Sequence, residues 1–212
     1  KLGKAEALIG LRRLDEALEL LNDALKENPL CVEALDLVAE LHLVRHKPGL
    51  AQEALYKAVN INSLSAKRQR LLGRVCLEIG DENAAMHAYR AAIKHSKNTC
   101  QEDPEDFANL AEATSVLIKK SPDKSSTLKK EASEALAYLD KRYPKHPIVQ
   151  MRRHLVEEDI HLASNKEELA KAANEKALEI LSSMKISVIE NTHPQLCIDC
   201  AKDFMDRGLY DE

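Results

Sequence analysis

Residues 72–92 read Leu-Gly-Arg-Val-Cys-Leu-Glu-Ile-Gly-Asp-Glu-Asn-Ala-Ala-Met-His-Ala-Tyr-Arg-Ala-Ala. Apolar residues recur at helical spacing on both sides of Gly80-Asp81. The spacing predicts a helix ending near Ile79, a turn, and a second helix that starts almost at once. Gly80 suits a left-handed helix terminus. Gly73 lies inside the helical pattern, where glycine costs about 1 kcal/mol relative to alanine, so close approach of a neighbouring helix is expected there. The unit repeats upstream. Gly73, Ala39 and Ala5 stand 34 residues apart, as do Ala85, Ala51 and Ala17. Tyr89, Leu55 and Leu21 follow the same 34-residue spacing, and so do Ala92, Ala58 and Ala24. Helical hairpins repeated in this way bury their apolar faces by stacking, which spreads the core along the array.

A 34-residue helix-turn-helix period with small residues at these positions resembles the tetratricopeptide repeat. The resemblance implies an all-α fold, a right-handed superhelix of antiparallel helix pairs. Pro29 matches the proline that often ends a copy, while Ser63 and Lys97 replace it in the next two. Arg12 stands where Gly80 closes the first helix of copy three. The aromatic expected early in the first helix is also missing, with Leu35 and Gln69 in its place.

Copy one predicts helices near Leu2 to Leu11 and Asp15 to Glu27, and copy two near Cys31 to Arg45 and Leu50 to Ile61. Copy three runs from about Ser65 to Ile79 and from Glu82 to Lys94, with Ser63 or Ser65 as its cap. His95 to Asp106 is polar, contains Pro104, and reads as a longer connection. Helices are then expected from Phe107 to about Lys119, Thr127 to Arg142, Ile148 to Ala163 and Lys166 to about Met184. A short last helix starts at His193-Pro194 and would cap the stack. The expected organisation is three repeats over 1–97, a divergent fourth hairpin over 98–147, and a fifth hairpin with a capping helix over 148–212. The sequence begins in a helix already under way, which suggests a fragment of a longer protein.

Composition narrows the function. A formal charge of −4 and the lack of a basic tract argue against nucleic acid or an anionic membrane as partner. No apolar run approaches the roughly 20 residues that span a bilayer, and no secretory signal is present. The five cysteines, Cys31, Cys76, Cys100, Cys197 and Cys200, form no disulfide framework and point to a reduced, cytoplasmic setting. Cys197 and Cys200 make a CxxC pair, with His193 one turn earlier. A zinc site wants a fourth ligand or an open water position, and none is nominated, so two packed cysteines are the simpler reading. Glu158 and His161 form an ExxH pair without the second pair a di-metal bundle needs. Neither a phosphate loop nor a persuasive acyl-transfer arrangement is present. The chain is therefore read as a non-enzyme without cofactor or metal.

The resemblance supplies a binding surface, because the first helices of tetratricopeptide units line a groove. Carried over, the groove positions are Asp36, Glu40, Leu43 and Val44 from copy two and Lys67, Arg70, Arg74 and Leu77 from copy three. Glu112 and Ser115 follow from the fourth unit. Such a groove changes from acidic to basic along its length and would orient a protein or peptide. Chaperone-tail-binding members use a lysine-asparagine carboxylate clamp, and at its positions stand Leu2, Glu6, Leu37, Lys67 and Leu71, of which only Lys67 fits. The first half of the chain also resembles the repeat region of bacterial receiver-tetratricopeptide proteins, which are similar to two-component response regulators. That similarity lies in Asn28-Pro29-Leu30, Asn62-Ser63-Leu64-Ser65, Arg68-Gln69-Arg70, Leu72-Gly73, Gly80-Asp81, Ala85, Tyr89-Arg90 and Asp103-Pro104-Glu105-Asp106. It implies a partner-binding output region whose phosphoacceptor domain would lie outside this sequence. A structural or assembly adaptor is the alternative. A metal or redox module at the CxxC pair is a third reading, and pairing of an uncapped repeat surface with a second copy is left open.

Overall fold

The computed structural model describes residues 1–120 and 125–183. They form ten α-helices, and no strand occurs among the described residues. In order these are α1 (Leu2–Gly10), α2 (Leu14–Glu27), α3 (Val32–Val44), α4 (Pro48–Ile61) and α5 (Ala66–Glu78). They continue as α6 (Glu82–Ser96), α7 (Pro104–Lys120), α8 (Ser125–Arg142), α9 (Pro147–Leu162) and α10 (Glu167–Ser183). The expected last helix, with His193, Cys197 and Cys200, lies outside the described residues. Two compact units are present, Lys1–Ala113 and a second beginning at Thr114, so the division falls within α7.

In the first unit α1 packs on α2, α3 on α4 and α5 on α6, while α2 meets α3 and α4 meets α5. The helices keep the period: α2, α4 and α6 begin at residues 14, 48 and 82, and α3 and α5 at 32 and 66. Of the repeated small positions, Ala5, Ala39, Gly73, Ala17, Ala51, Ala85, Ala58 and Ala92 are buried and Ala24 is half-buried, while the large counterparts Leu21, Leu55 and Tyr89 are fully buried. Each such leucine contributes roughly 1.5–3 kcal/mol by leaving water. Gly73 has the close neighbour its position calls for. A Cβ there would lie 2.8 Å from Cε2 and 2.9 Å from Cζ of Tyr89.

The turns repeat as faithfully as the helices. Gly80 has φ +77°, and the residues 34 and 68 positions earlier, His46 and Arg12, have φ 54° and 60°. In all three turns the left-handed residue and its successor return hydrogen bonds to the helix end. Arg12 and Arg13 donate to the carbonyls of Ile9 and Leu8, His46 and Lys47 to Leu43 and His42, and Gly80 and Asp81 to Leu77 and Cys76. This is the Schellman pattern, which satisfies carbonyls the helix leaves open. Asn165 (φ 55°) and Lys166 repeat it after α9, donating to Leu162 and His161. The returns between pairs repeat too. The Asn28 and Asn62 side chains accept the backbone N–H groups of Leu30 and Leu64 at 3.2 and 3.1 Å.

The connection after α6 is shorter than expected. It covers only 97–103, because Pro104 opens α7 instead of interrupting a loop. A proline in the first turn loses no helical hydrogen bond and arrives with a suitable φ. Asp103 precedes it and its Oδ1 accepts the Glu105 N–H at 3.0 Å. Pro48 and Pro147 likewise open α4 and α9.

In the second unit α9 packs on α8 and on α10. Leu136, Leu139, Met151, Leu155, Val156, Ala170, Ala173 and Ala177 are buried there. Lys119 reaches Asp159 at 2.8 Å, and Arg153 lies 2.7 Å from Glu157. Burial opposes ionisation of Glu157, but the His154 hydrogen bond and the charges of Arg153, His154 and His161 outweigh it and lower its pKa.

Candidate functional site

The first helices of the second and third pairs carry the residues expected to line a groove. On α3, Glu40 is exposed, and Asp36, Leu43 and Val44 (the last residue of the helix) are half-buried. On α5, Lys67 and Arg74 are exposed, and Arg70 and Leu77 are half-buried. Of the two residues expected from α7, Glu112 is half-buried, whereas Ser115 is buried and offers no surface.

Two of these charges are already committed within the fold. Arg68 directs Nε and Nη2 at the two carboxylate oxygens of Asp36, both at 2.7 Å, so α5 is clamped to α3. Arg68 also donates to the Asn62 carbonyl, and its pKa is raised chiefly by the Asp36 hydrogen bond. Arg70 makes the corresponding bond in the other direction along the chain. Its Nε and Nη2 donate to Asp106 Oδ1 and Oδ2 at 2.7 Å each, and Nη2 also donates to the Gln101 carbonyl at 3.1 Å. Asp103 Oδ2 lies 3.4 Å from Arg70 Nε. Bidentate pairs of this kind fix geometry as well as charge. α5 is therefore tied on one side to α3 and on the other to the start of α7.

Asp106 is fully buried although it carries this pair. Burial raises its pKa to about 6, against the downward pull of the Arg70 hydrogen bond and charge, and Asp103 and Glu105 raise it further. The Arg70 hydrogen bond to Asp106 raises the pKa of Arg70, so the arginine keeps its charge.

Beside this pair lies a cleft of about 570 Å³, lined by Ser65, Lys67, Arg70, Cys100, Gln101, Glu102 and Asp103. Ser65 caps α5 by accepting the Arg68 N–H at 3.3 Å. This ties the mouth of the cleft to the helix that supplies Lys67. The 97–103 connection forms the facing wall, and sequence reasoning missed it as a site because it read as a linker. The signal was present in Asp103 and Asp106, acidic residues about one repeat beyond Arg70, the first just before the next first helix and the second in its first turn.

Among the described residues, which include the ExxH pair Glu158 and His161, no group of three or more potential metal ligands occurs, and the nearby His154 Nδ1 lies 2.9 Å from Glu157 Oε2. Cys31 and Cys100 reach the surface and Cys76 is buried, and all three are free thiols. No helix among the described residues is long and apolar enough to cross a membrane.

A stack of 34-residue helical hairpins closed by Schellman turns is the fold of tetratricopeptide-repeat proteins, and the likeness extends to solved structures. The crystal structure of MamA superposes with a TM-score of 0.63 at 20% identity, over 84% of this chain and 94% of that one. YrrB, described as a TPR protein with an unusual peptide-binding site, gives a TM-score of 0.68 at 16% identity, over 86% and 85% of the two chains. PilW, described as a widely conserved type IV pilus biogenesis factor, gives 0.57 at 14% identity, over 98% and 92%. No family model and no curated protein matches the sequence.

Proposed function

We propose that this chain is a non-enzymatic scaffold that binds a protein or peptide partner along α3 and α5. The observation that carries this reading is the cleft beside α5, where exposed Lys67 faces the 97–103 connection. The contact surface is made by Glu40, Lys67 and Arg74 together with half-buried Leu43, Val44 and Leu77. Asp36 and Arg70 shape it, since their charges are spent on Arg68 and Asp106. Opposite charges flanking an apolar strip set the direction in which a partner segment lies. The domain division that goes with this reading is three repeats over 1–97, a divergent fourth helix pair over 98–147, and a fifth pair with a capping helix over 148–212.

Within that role the chain is the output or partner-binding region of a bacterial two-component signalling protein, working in the cytoplasm. The motifs from Asn28-Pro29-Leu30 to Asp103-Pro104-Glu105-Asp106 support this. A structural or assembly adaptor outside phosphorelay is the alternative. The two separate in the full-length gene product. Signalling requires a receiver domain whose phosphorylation changes partner affinity, and an adaptor binds its partner with no dependence on such a domain.

The binding surface is tested by charge reversal. Lys67→Glu with Arg74→Glu should weaken binding of an identified partner at least tenfold, while reversal of exposed Lys94 on α6 leaves it unchanged. Equal affinity in all three proteins would place the partner elsewhere.

A further inference from the structure

We propose that Asp106 is a proton-operated tether on Arg70: ionised, it holds the guanidinium against α7, and protonated, it lets the guanidinium swing into the cleft. Geometry makes the pair suited to this. Asp106 is fully buried and presents both oxygens to Arg70, whereas the Arg70 side chain keeps 26% of its surface exposed and lines the cleft. The two groups therefore differ in freedom. The carboxyl is fixed in the first turn of α7, and the guanidinium sits at the end of a long arm that reaches solvent, where the Gln101 carbonyl at 3.1 Å and Asp103 at 3.4 Å are its remaining contacts once the Asp106 pair is weakened.

Protonation removes the negative charge and turns one acceptor oxygen into a donor, which Arg70, having only donors, cannot use. The bidentate pair becomes at most a single hydrogen bond. The charged groups facing Asp106 are Arg70 from α5, Asp103 from the 97–103 connection and Glu105 from α7 itself. Both acids oppose ionisation of Asp106, and burial opposes it more strongly, which brings the carboxyl to about 6. The tether then works under mildly acidic conditions. A state in which Arg70 has left while Asp106 stays buried would hold the proton tighter still, because the group that favours the carboxylate is gone. Acid and release thus reinforce each other.

The consequence is electrostatic. Each protonation removes the negative charge that offsets Arg70, in a wall that also holds Lys67, so acidic segments gain affinity as pH falls. This consequence rests on the reading of the cleft as part of the partner surface. The tether itself does not, and its test needs no partner, so the two ideas can fail separately.

The test follows the Asp106 carboxyl carbon and the Arg70 Nε–Hε group of the full chain by NMR between pH 4.5 and 8. Both signals are expected to titrate together with a midpoint near 6. Asp106→Asn at pH 7.5 should give the Arg70 signal that the native protein shows in acid. Asp103→Asn should lower the midpoint, since it removes a charge that opposes ionisation, and this arm stands if the Asp106→Asn variant fails to fold. An Arg70 signal that stays fixed while Asp106 titrates would overturn the proposal. So would an Asp106 carboxyl that stays ionised down to pH 4.5.

Discussion

Gly73 and Tyr89 show how one copy of the repeat differs from its neighbours while keeping the same packing. The equivalent pairs are Ala5 with Leu21 and Ala39 with Leu55, all buried. Copy three has lost a methyl group on one helix and gained an aromatic ring on the other. Gly73→Ala alone drives a Cβ to within 3.0 Å of three atoms of a fully buried ring. Overpacking costs typically about 1–3 kcal/mol, more than the roughly 1 kcal/mol that alanine returns in helix propensity. The variant should be less stable by about 1 kcal/mol in urea denaturation. Combining it with Tyr89→Leu restores the combination found in the other two copies. The double variant should be more stable than the sum of the single changes predicts, by at least about 1 kcal/mol of coupling. Additive effects would mean that the two residues do not share the space the structure gives them.

Asp106 gives a second residue-scale prediction, with a definite sign. Its pKa of about 6 in the folded protein exceeds the ordinary value of 3.8. Between these limits the folded state binds more protons than the unfolded one, so stability falls as pH rises. The contribution is fully present below about 4 and is lost through about 6. The stability difference between native protein and Asp106→Asn should therefore shrink as pH increases from 4 to 6.5 and then level off. A difference that grows over this range would mean that Arg70 outweighs burial and holds the carboxyl low.

At the scale of elements, the helices were legible in the sequence and much of what joins them was not. The apolar period marked every helix from α1 to α10, because side chains on one face recur whatever the local turn chemistry. The turns after α1 and α3 were obscured, since Arg12 and His46 occupy a left-handed conformation that the sequence signals with glycine only at Gly80. The hydrogen bonds of the Schellman turn hold them there against an intrinsic penalty of about 1–2 kcal/mol. Replacing either by glycine should therefore stabilise the protein, by about 0.5–1 kcal/mol after the extra freedom of the unfolded chain is subtracted. A loss of stability in His46→Gly would show that the side chain makes contacts worth more than the strain.

The caps differ in the same way from copy to copy. Asp81 accepts the Ala84 N–H at 3.0 Å, whereas Arg13 and Lys47, at the equivalent positions, make no such bond. Asp81→Ala should cost about 1 kcal/mol, and Lys47→Ala less than about 0.5 kcal/mol. The ion pairs from α5 were hidden for another reason. Asp36 with Arg68 and Arg70 with Asp106 are separated by 32 and 36 residues. Such pairs become visible only once the period has placed successive first helices side by side.

For the whole molecule, the period carried the fold and, through it, the placing of the proposed groove residues on α3 and α5. Charge at a groove position did not reveal which residues remain available. Asp36 and Arg70 looked like surface charges because one sequence does not say which neighbour answers them. The structure pairs both, and it leaves Glu40, Lys67 and Arg74 exposed. It also brings the 97–103 connection to the side of Lys67, so that a segment read as a linker becomes the wall of a cleft. The central claim is that this face holds a protein partner. It is tested most directly by capturing proteins from native lysate with the full-length protein, purifying the one retained, and measuring its affinity by titration calorimetry. The account predicts a stoichiometric complex weakened at least tenfold by Lys67→Glu with Arg74→Glu and unaffected by Lys94→Glu. A purified partner that binds the doubly reversed protein as tightly as the native one would contradict it.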